Sequence, residues 1–237
     1  MTARLPPLIL VGCGRMGGAM LGAWLDQGLA RSVVVDPAPR LPDGATDAVT
    51  LADAAKIPSG FAPAAVVFAI KPQQADAVLP EFARFAPSSV FLSIMAGRTL
   101  ASLQARLGPE AAIVRAMPNT PAAIRAGTTV LCAGSGAGEA ARSLCERLLV
   151  AVGRVAWVTD ETLLDPVTAV SGSGPAYVFL LAELLERAGI EQGLPTELAR
   201  LLARRTVSGA GALLAASEED AAALRRAVTS PGGTTER

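Results

Sequence analysis

The chain contains no histidine, and of its 21 basic residues only Lys56 and Lys71 are lysines. A chain without histidine offers no Ser-His or Cys-His nucleophile pair and no His-ligated metal site. Its three cysteines, Cys13, Cys132 and Cys145, are odd in number and lack metal-ligand spacing. No metal is expected, and a reduced, cytosolic setting fits best. The 21 basic residues are balanced by 21 acidic ones, so nothing in the charge points to nucleic acid or an acidic membrane surface. No apolar run approaches the ~18 residues of a membrane helix. The early Pro6-Pro7 and Gly12 make the start a poor signal peptide. What is abundant is apolar surface, at 51% of the residues. Much of it must be buried, some of it between subunits. The 237 residues suffice for one large domain or two smaller ones.

The first half alternates strand and helix. Leu8-Ile9-Leu10-Val11 is a short, fully apolar run, as expected of a central parallel strand covered on both faces. It leads into Gly12-Cys13-Gly14-Arg15-Met16-Gly17, behind which Met16, Met20, Ala23, Trp24 and Gln27 keep helical spacing up to a natural stop at Gly28. A second strand, Ser32–Val35, ends at Asp36. Strand, glycines, helix, strand and an acidic residue in this order form a dinucleotide-binding fingerprint. Gly12 permits the tight turn, Gly14 lets the backbone approach a pyrophosphate, and Gly17 lets helix and strand pack closely. Asp36 can accept ribose hydroxyls, favouring NAD, whereas Arg40 can clamp a 2′-phosphate. The residues leave that choice open.

Further strands are expected at Ala65–Ile70, Val90–Ser93, Ile113–Met117, Thr128–Ala133 and Arg154–Val158, with helical stretches between most of them. This alternation implies a doubly wound sheet with helices on both faces. Lys71 and Pro72 then fall at a strand's carboxyl end, where ligands sit; a solvated strand-end charge is the alternative for Lys71. Ser93-Ile94-Met95-Ala96-Gly97 ends the next strand in the same way. Arg115 to Pro121 runs from a strand into a loop with two prolines, either a plain turn or a ligand contact.

After Asp160 the strand signals vanish, which places a domain boundary at Thr159–Glu161 and divides the chain into 1–159 and 160–237. Leu163–Val170 leads into Ser171-Gly172-Ser173-Gly174-Pro175, with Pro175 suited to the first turn of a long helix. Helices follow at Tyr177–Ala188, Pro195–Ala215 and Ser217–Val228, the last with Ser217 as N-cap. The first two are apolar around most of their circumference, as expected of a dimerisation module. The chain closes on Ser230-Pro231-Gly232-Gly233-Thr234-Thr235-Glu236. Adjacent glycines let successive N–H groups turn inward as an anion nest, and the opening turn of a helix also favours a carboxylate. A bare Pro-Gly-Gly turn is the alternative.

The order GCGRMG, AIKP, SIMAG, RAMPNTPA, VSGSGPAYVF and SPGGTTE, spanning Leu8 to Glu236, resembles the pyrroline-5-carboxylate reductase family. The resemblance implies an α/β architecture: an N-terminal Rossmann-type doubly wound sheet followed by an all-α C-terminal dimerisation domain. It implies a cytoplasmic homo-oligomer, a dimer or higher, with no nucleic-acid or membrane partner. The active site would lie between the two domains. The implied reaction is hydride transfer to a cyclic imine, giving L-proline in the last step of proline biosynthesis, with NADPH as cofactor and NADH as the alternate. By the same resemblance Gly12, Cys13, Gly14, Arg15, Met16, Gly17, Asp36, Pro37, Arg40, Lys56, Ile70, Lys71, Pro72 and Ala96 contact the cofactor. Gly232, Gly233, Thr234 and Thr235 hold the substrate carboxylate together with Ser230. The Thr235 hydroxyl meets the imine nitrogen, and Glu161 and Glu218 favour the iminium electrostatically. Two features depart from the family. Arg225-Arg226 stand where an acidic residue is common, and the family usually continues with further helix where this chain stops at Arg237, so a truncated C-terminal domain is expected. Another cyclic-imine reductase on the same scaffold and a non-catalytic nucleotide-binding protein are the alternative functions.

Overall fold

Short runs of Val, Ile, Leu and Phe build the centre of the first unit. The computed structural model describes residues 4–45, 48–230 and 232–233. They fall into two compact units, Met1–Pro175 and Ala176–Arg237. The first carries strands β1 (Leu8–Val11), β2 (Val33–Val35), β3 (Val49–Leu51), β4 (Ala65–Phe68), β5 (Val90–Ser93), β6 (Ala112–Met117), β7 (Gly127–Ala133) and β8 (Gly153–Val158). They form one sheet in the order β3-β2-β1-β4-β5-β6-β7-β8. Every pairing is parallel except β6 with β7, which is antiparallel.

Because side chains alternate along a strand, each run feeds two cores. Leu8 and Leu10 of β1 join Val67, Leu92, Val114 and Leu131 on one face. That face is covered by α1 (Arg15–Asp26), which contributes Met20, Leu21 and Trp24. Ile9 and Val11 join Val66, Phe68, Phe91 and Ile113 on the other. There the 3-10 turns around α2 (Ala75–Val78) and the helix α3 (Leu100–Leu107) bring Leu79, Phe82 and Leu103. Phe68 stacks on Phe91 at 5.9 Å and meets Phe82 edge-on at 5.6 Å. On the first face α4 (Glu139–Val150) adds Cys145, Leu148 and Leu149, and Trp24 donates its indole N–H to the Leu148 carbonyl at 2.7 Å. Each large side chain so buried contributes roughly 1.5–3 kcal/mol of transfer free energy.

β3 has no counterpart among the expected strands. It is a three-residue edge strand whose side chains are only partly buried or exposed, so it shows neither an apolar run nor a clear alternation. The expected strand from Ala65 ends at Phe68. There Ala69 turns its N–H to the Val11 carbonyl at 2.8 Å, and the chain bends into the 3-10 turn at Pro72–Gln74.

The Ser-Gly segment is itself helical. A helical stretch runs from Glu161 to Glu191, through α5 (Leu164–Val167), a π-helical turn at Thr168–Gly172 and α6 (Gly174–Glu191). It is long and apolar enough, by length and composition, to cross a membrane, which corrects the expectation that no segment reaches that length. The correction arises because the π turn carries the helix through residues that read as a break.

In the second unit α7 (Thr196–Ala216) and α8 (Ala221–Ala227) follow α6. Ala199 and Ala203 are buried, and Arg200 pairs with Glu186 of α6 at 3.2 Å. Ser217 is the C-cap of α7, not an N-cap. Asp220 caps α8 and accepts from the Ala223 N–H at 2.7 Å. Asp220 wins because the connecting residues after Ser217 stay extended or bent, leaving its carboxylate next to the first turn. Much of the surface of the helices in this unit is apolar, with Phe179 66%, Tyr177 58%, Leu213 57% and Leu201 54% exposed in a single chain.

Candidate functional site

The sheet order reverses at β1 and β4, where β1 connects to β2 on one side and pairs with β4 on the other. In open α/β sheets ligands sit beyond the carboxyl ends of the strands at such a point. A cleft of about 590 Å³ lies there, and its lining includes Gly12, Asp36, Pro37 and Ile70. The sequence reading missed its other rim, where Asp53 follows the unforeseen β3 and Gln74 and Glu81 come from the turns after β4. Their only signal is proximity to strand ends. Asp36, Asp53 and Glu81 are the charged residues that line the cleft.

Two glycines of the loop are required by the protein itself. Gly12 has φ +89°, and a Cβ there would lie 2.7 Å from the Ala69 carbonyl oxygen. A Cβ on Gly17 would meet the Gly12 oxygen at 2.2 Å. Gly14 differs, because a Cβ there would meet nothing within 4 Å. Gly14 is also the N-cap of α1, with no side-chain cap. The open approach to a helix N-terminus whose first turn holds no acidic residue is the cradle a pyrophosphate needs. The residues present therefore fit a dinucleotide.

Around this loop the contacts are specific. Asp36 accepts the Cys13 N–H at 2.6 Å through Oδ2 and the Ala38 N–H at 2.8 Å through Oδ1. The Cys13 carbonyl accepts the Arg40 N–H at 2.7 Å, and the Cys13 thiol faces the Arg40 oxygen at 3.4 Å. Cys13 is fully buried, so it acts inside the turn and presents no polar backbone group to a ligand. Burial, and then the adjacent Asp36 carboxylate, push its thiol up to about 11. Arg15 and Arg40 are exposed and Met16 is half-buried.

On the β4–β5 side, Arg98 ties two expected contact loops together. Its guanidinium donates to the Pro72 carbonyl at 2.9 and 2.7 Å and to both Asp76 oxygens at 3.2 and 3.1 Å. The bond to Arg98 holds the Asp76 carboxyl below its ordinary range. Lys71 and Ala96 are exposed on these loops, and Lys56 is exposed at the end of its 3-10 turn.

Glu161 is anchored within the first unit. Its Oε1 accepts from Arg115 Nη1 and from the Leu100 N–H, both at 2.5 Å, and Arg115 is only 7% exposed. After Arg115, Pro118 leads to Asn119 at the head of a 3-10 turn, Thr120–Ile124, that contains Pro121; Asn119 donates to the Ser171 carbonyl and hydroxyl, each at 3.2 Å. In the second unit Glu218 is exposed between α7 and α8. The Ser230 carbonyl accepts the Gly233 N–H at 2.9 Å, and Gly232 has φ +72°. Thr234 and Thr235 lie outside the described residues.

Two family models match the chain. One, described as pyrroline-5-carboxylate reductase dimerisation, covers residues 161–237, and one described as NADP oxidoreductase, coenzyme F420-dependent, covers residues 8–97. The pyrroline-5-carboxylate reductase of Pseudomonas aeruginosa is 39% identical over 98% of this chain and 86% of its own. A solved pyrroline-5-carboxylate reductase from Coxiella burnetii superposes with a TM-score of 0.84 at 34% identity, over 97% of this chain and 87% of that one. The Plasmodium falciparum pyrroline carboxylate reductase, solved with NADP bound, gives 0.82 at 27% identity over 97% and 86%. With the glycine loop, the switch-point cleft and the apolar C-terminal helices in this order, the chain belongs to the pyrroline-5-carboxylate reductase family.

Proposed function

We propose that this chain reduces 1-pyrroline-5-carboxylate to L-proline with NADPH, NADH serving as the alternate donor, as a cytoplasmic homodimer or higher oligomer. The observation that carries the reading is the match to the Pseudomonas aeruginosa reductase along 98% of the chain. When bound, the reduced nicotinamide supplies the hydride that the imine carbon receives. The protonated imine is already a good electrophile, so the work left to the protein is positioning and charge.

The first unit provides the nucleotide cradle. Gly12 and Gly17 shape the loop, Gly14 leaves the approach open, and the N–H groups of Arg15 and Met16 in the first turn of α1 receive the pyrophosphate. Pro37, Arg40, Lys56, Ile70, Lys71, Pro72 and Ala96 contribute from the loops around it. Asp36 also borders the nucleotide, although both its oxygens accept backbone N–H groups. In the second unit the segment from Ser230 through Gly232, Gly233, Thr234 and Thr235 holds the substrate carboxylate, and the Thr235 hydroxyl hydrogen-bonds the imine nitrogen. Glu218 and Glu161 favour the iminium by their charge, with Glu161 held in place by Arg115. The exposed apolar faces of α6 and α7 form the subunit contact.

The test is NADPH oxidation with pyrroline-5-carboxylate, run beside the six-membered piperideine-2-carboxylate. Turnover that prefers the five-membered ring supports the reading. Preference for the larger ring points to another imine reductase on the same scaffold, and tight NADPH binding with no reduction of either to a non-catalytic nucleotide-binding protein.

A further inference from the structure

We propose that Asp36 is a positioning residue that latches the segment after β2 onto the glycine loop, and through that latch sets the affinity for NADPH and NADH alike. The inference rests on the reading of the first unit as a dinucleotide site. A carboxylate at the end of the second strand ordinarily accepts ribose hydroxyls and repels a 2′-phosphate. Here each of its oxygens is also held by backbone. One oxygen receives the Cys13 N–H at 2.6 Å and the other the Ala38 N–H at 2.8 Å.

The latch is closed from the other end of the same segment. Arg40 donates its N–H to the Cys13 carbonyl at 2.7 Å, and its own carbonyl faces the Cys13 thiol at 3.4 Å. A Cβ on Gly18 would come within 2.7 Å of that Arg40 carbonyl, so α1 itself is seated against the segment. Cys13, at 0% exposure, thus has its N–H, carbonyl and thiol all held by residues 36–40. It stands between Gly12, which the turn holds at φ +89°, and Gly14, which leads the first turn of α1. Any shift of Cys13 carries both glycines with it. A buried N–H that loses its acceptor is costly, and a charged acceptor makes the bond roughly twice as strong as a neutral one. Asp36 therefore holds the geometry of the cradle for the pyrophosphate, the part NADPH and NADH share. A carboxylate held in this way also accounts for Asp36 in a chain similar to a reductase solved with NADP bound.

The test uses Asp36→Asn and Asp36→Ala. Asparagine keeps one acceptor oxygen but sets an NH₂ against the other N–H, while alanine removes both acceptors. NADPH and NADH dissociation constants are measured by nucleotide fluorescence at a temperature where circular dichroism shows each variant folded, together with the Tm of nucleotide-free protein. The expected result is a Tm that falls from wild type to Asn to Ala. Both dissociation constants should rise, by about tenfold in Asp36→Ala, as loss of the charge-assisted hydrogen bond to the Cys13 N–H implies. Their ratio should stay within about twofold of wild type, because the pyrophosphate geometry is common to both nucleotides. Tighter NADPH with weaker NADH, a larger change in the ratio, unchanged affinities in a destabilised variant, or an unchanged Tm overturns the latch. Wild-type protein that binds neither nucleotide instead sinks the reading of the site, a result the variants are not needed to see.

Discussion

Asn119 donates to the Ser171 carbonyl and to its hydroxyl, each at 3.2 Å, while its own Oδ1 accepts the Thr128 N–H at 2.8 Å. One side chain thereby joins the loop after β6, the start of β7 and the π-helical turn at Thr168–Gly172. The carbonyl it meets has lost its ordinary helical partner, because Pro175, four residues on, has no N–H. The Ser173 N–H reaches back to the Thr168 carbonyl at 2.8 Å, which carries the helix past the gap. A Cβ on Gly172 would lie 2.6 Å from Met117 Cε, so the turn also packs closely on the end of β6.

Replacing Asn119 by Ala should therefore destabilise the fold by about 1–3 kcal/mol, the cost of leaving partly buried polar groups without partners. Asn119→Asp keeps the acceptor for Thr128 but loses the donors to Ser171, so its urea midpoint should fall between those of wild type and Asn119→Ala. Equal midpoints for all three proteins would contradict this.

Glu161 carries a comparable load through charge. Removing its carboxylate leaves the Arg115 guanidinium, 7% exposed, without its partner, and breaking such a pair from one side costs about 3–5 kcal/mol. Glu161→Ala should accordingly be more destabilising than the double replacement Arg115→Leu/Glu161→Leu, which removes both charges. Chemical denaturation of the three proteins decides the order.

The three thiols make alkaline stability predictable in sign. Burial pushes Cys145 up to about 12 and, with the Asp36 charge, Cys13 to about 11, and it also raises Cys132. Above the unfolded value of 9.0 the unfolded chain loses thiol protons that the folded chain keeps. Stability is therefore full below pH 9.0 and falls as pH climbs towards 11–12. Replacing Cys145 by Ala should flatten part of that fall in a denaturant series run at successive pH values. At neutral pH none of the three should react with a thiol reagent until the protein unfolds, since the thiolate is the nucleophile.

Phe179 on α6 is 66% exposed in a single chain, and burying such a ring contributes about 1.5–3 kcal/mol. Light scattering should give at least twice the mass of one chain at micromolar concentration. Phe179→Glu, which places a charge in an apolar contact, should shift the protein towards the monomer, and an unchanged mass would remove this residue from the interface.

Thr235→Ala should lower kcat/KM with pyrroline-5-carboxylate about ten- to a hundred-fold, the range for a lost hydrogen bond to a charged partner. Thr235→Ser, which keeps the hydroxyl, should retain most activity. Equal rates for Ala and wild type would leave the hydroxyl without a part in the reaction.

Much of this was determined by the sequence alone, wherever the cause is local. A central strand announces itself because both its faces are buried, as in Leu8–Val11. The glycine loop is legible because Gly12 must take a positive φ and Gly17 must admit the Gly12 oxygen, both within one turn of chain. The family motifs are legible for the same reason, since each is a short run. The tertiary structure decided the rest. β3 is an edge strand too short and too little buried to leave a pattern. Ser217 is a good cap on paper, and only the path of the chain after α7 gives the cap of α8 to Asp220. That Asp36 accepts the Cys13 N–H at 2.6 Å and that Glu161 pairs with Arg115 could be read from neither residue's place in the chain. A hydrogen bond between residues far apart in the chain depends on where two separate segments are brought by the packing of the sheet. No spacing within either segment records that.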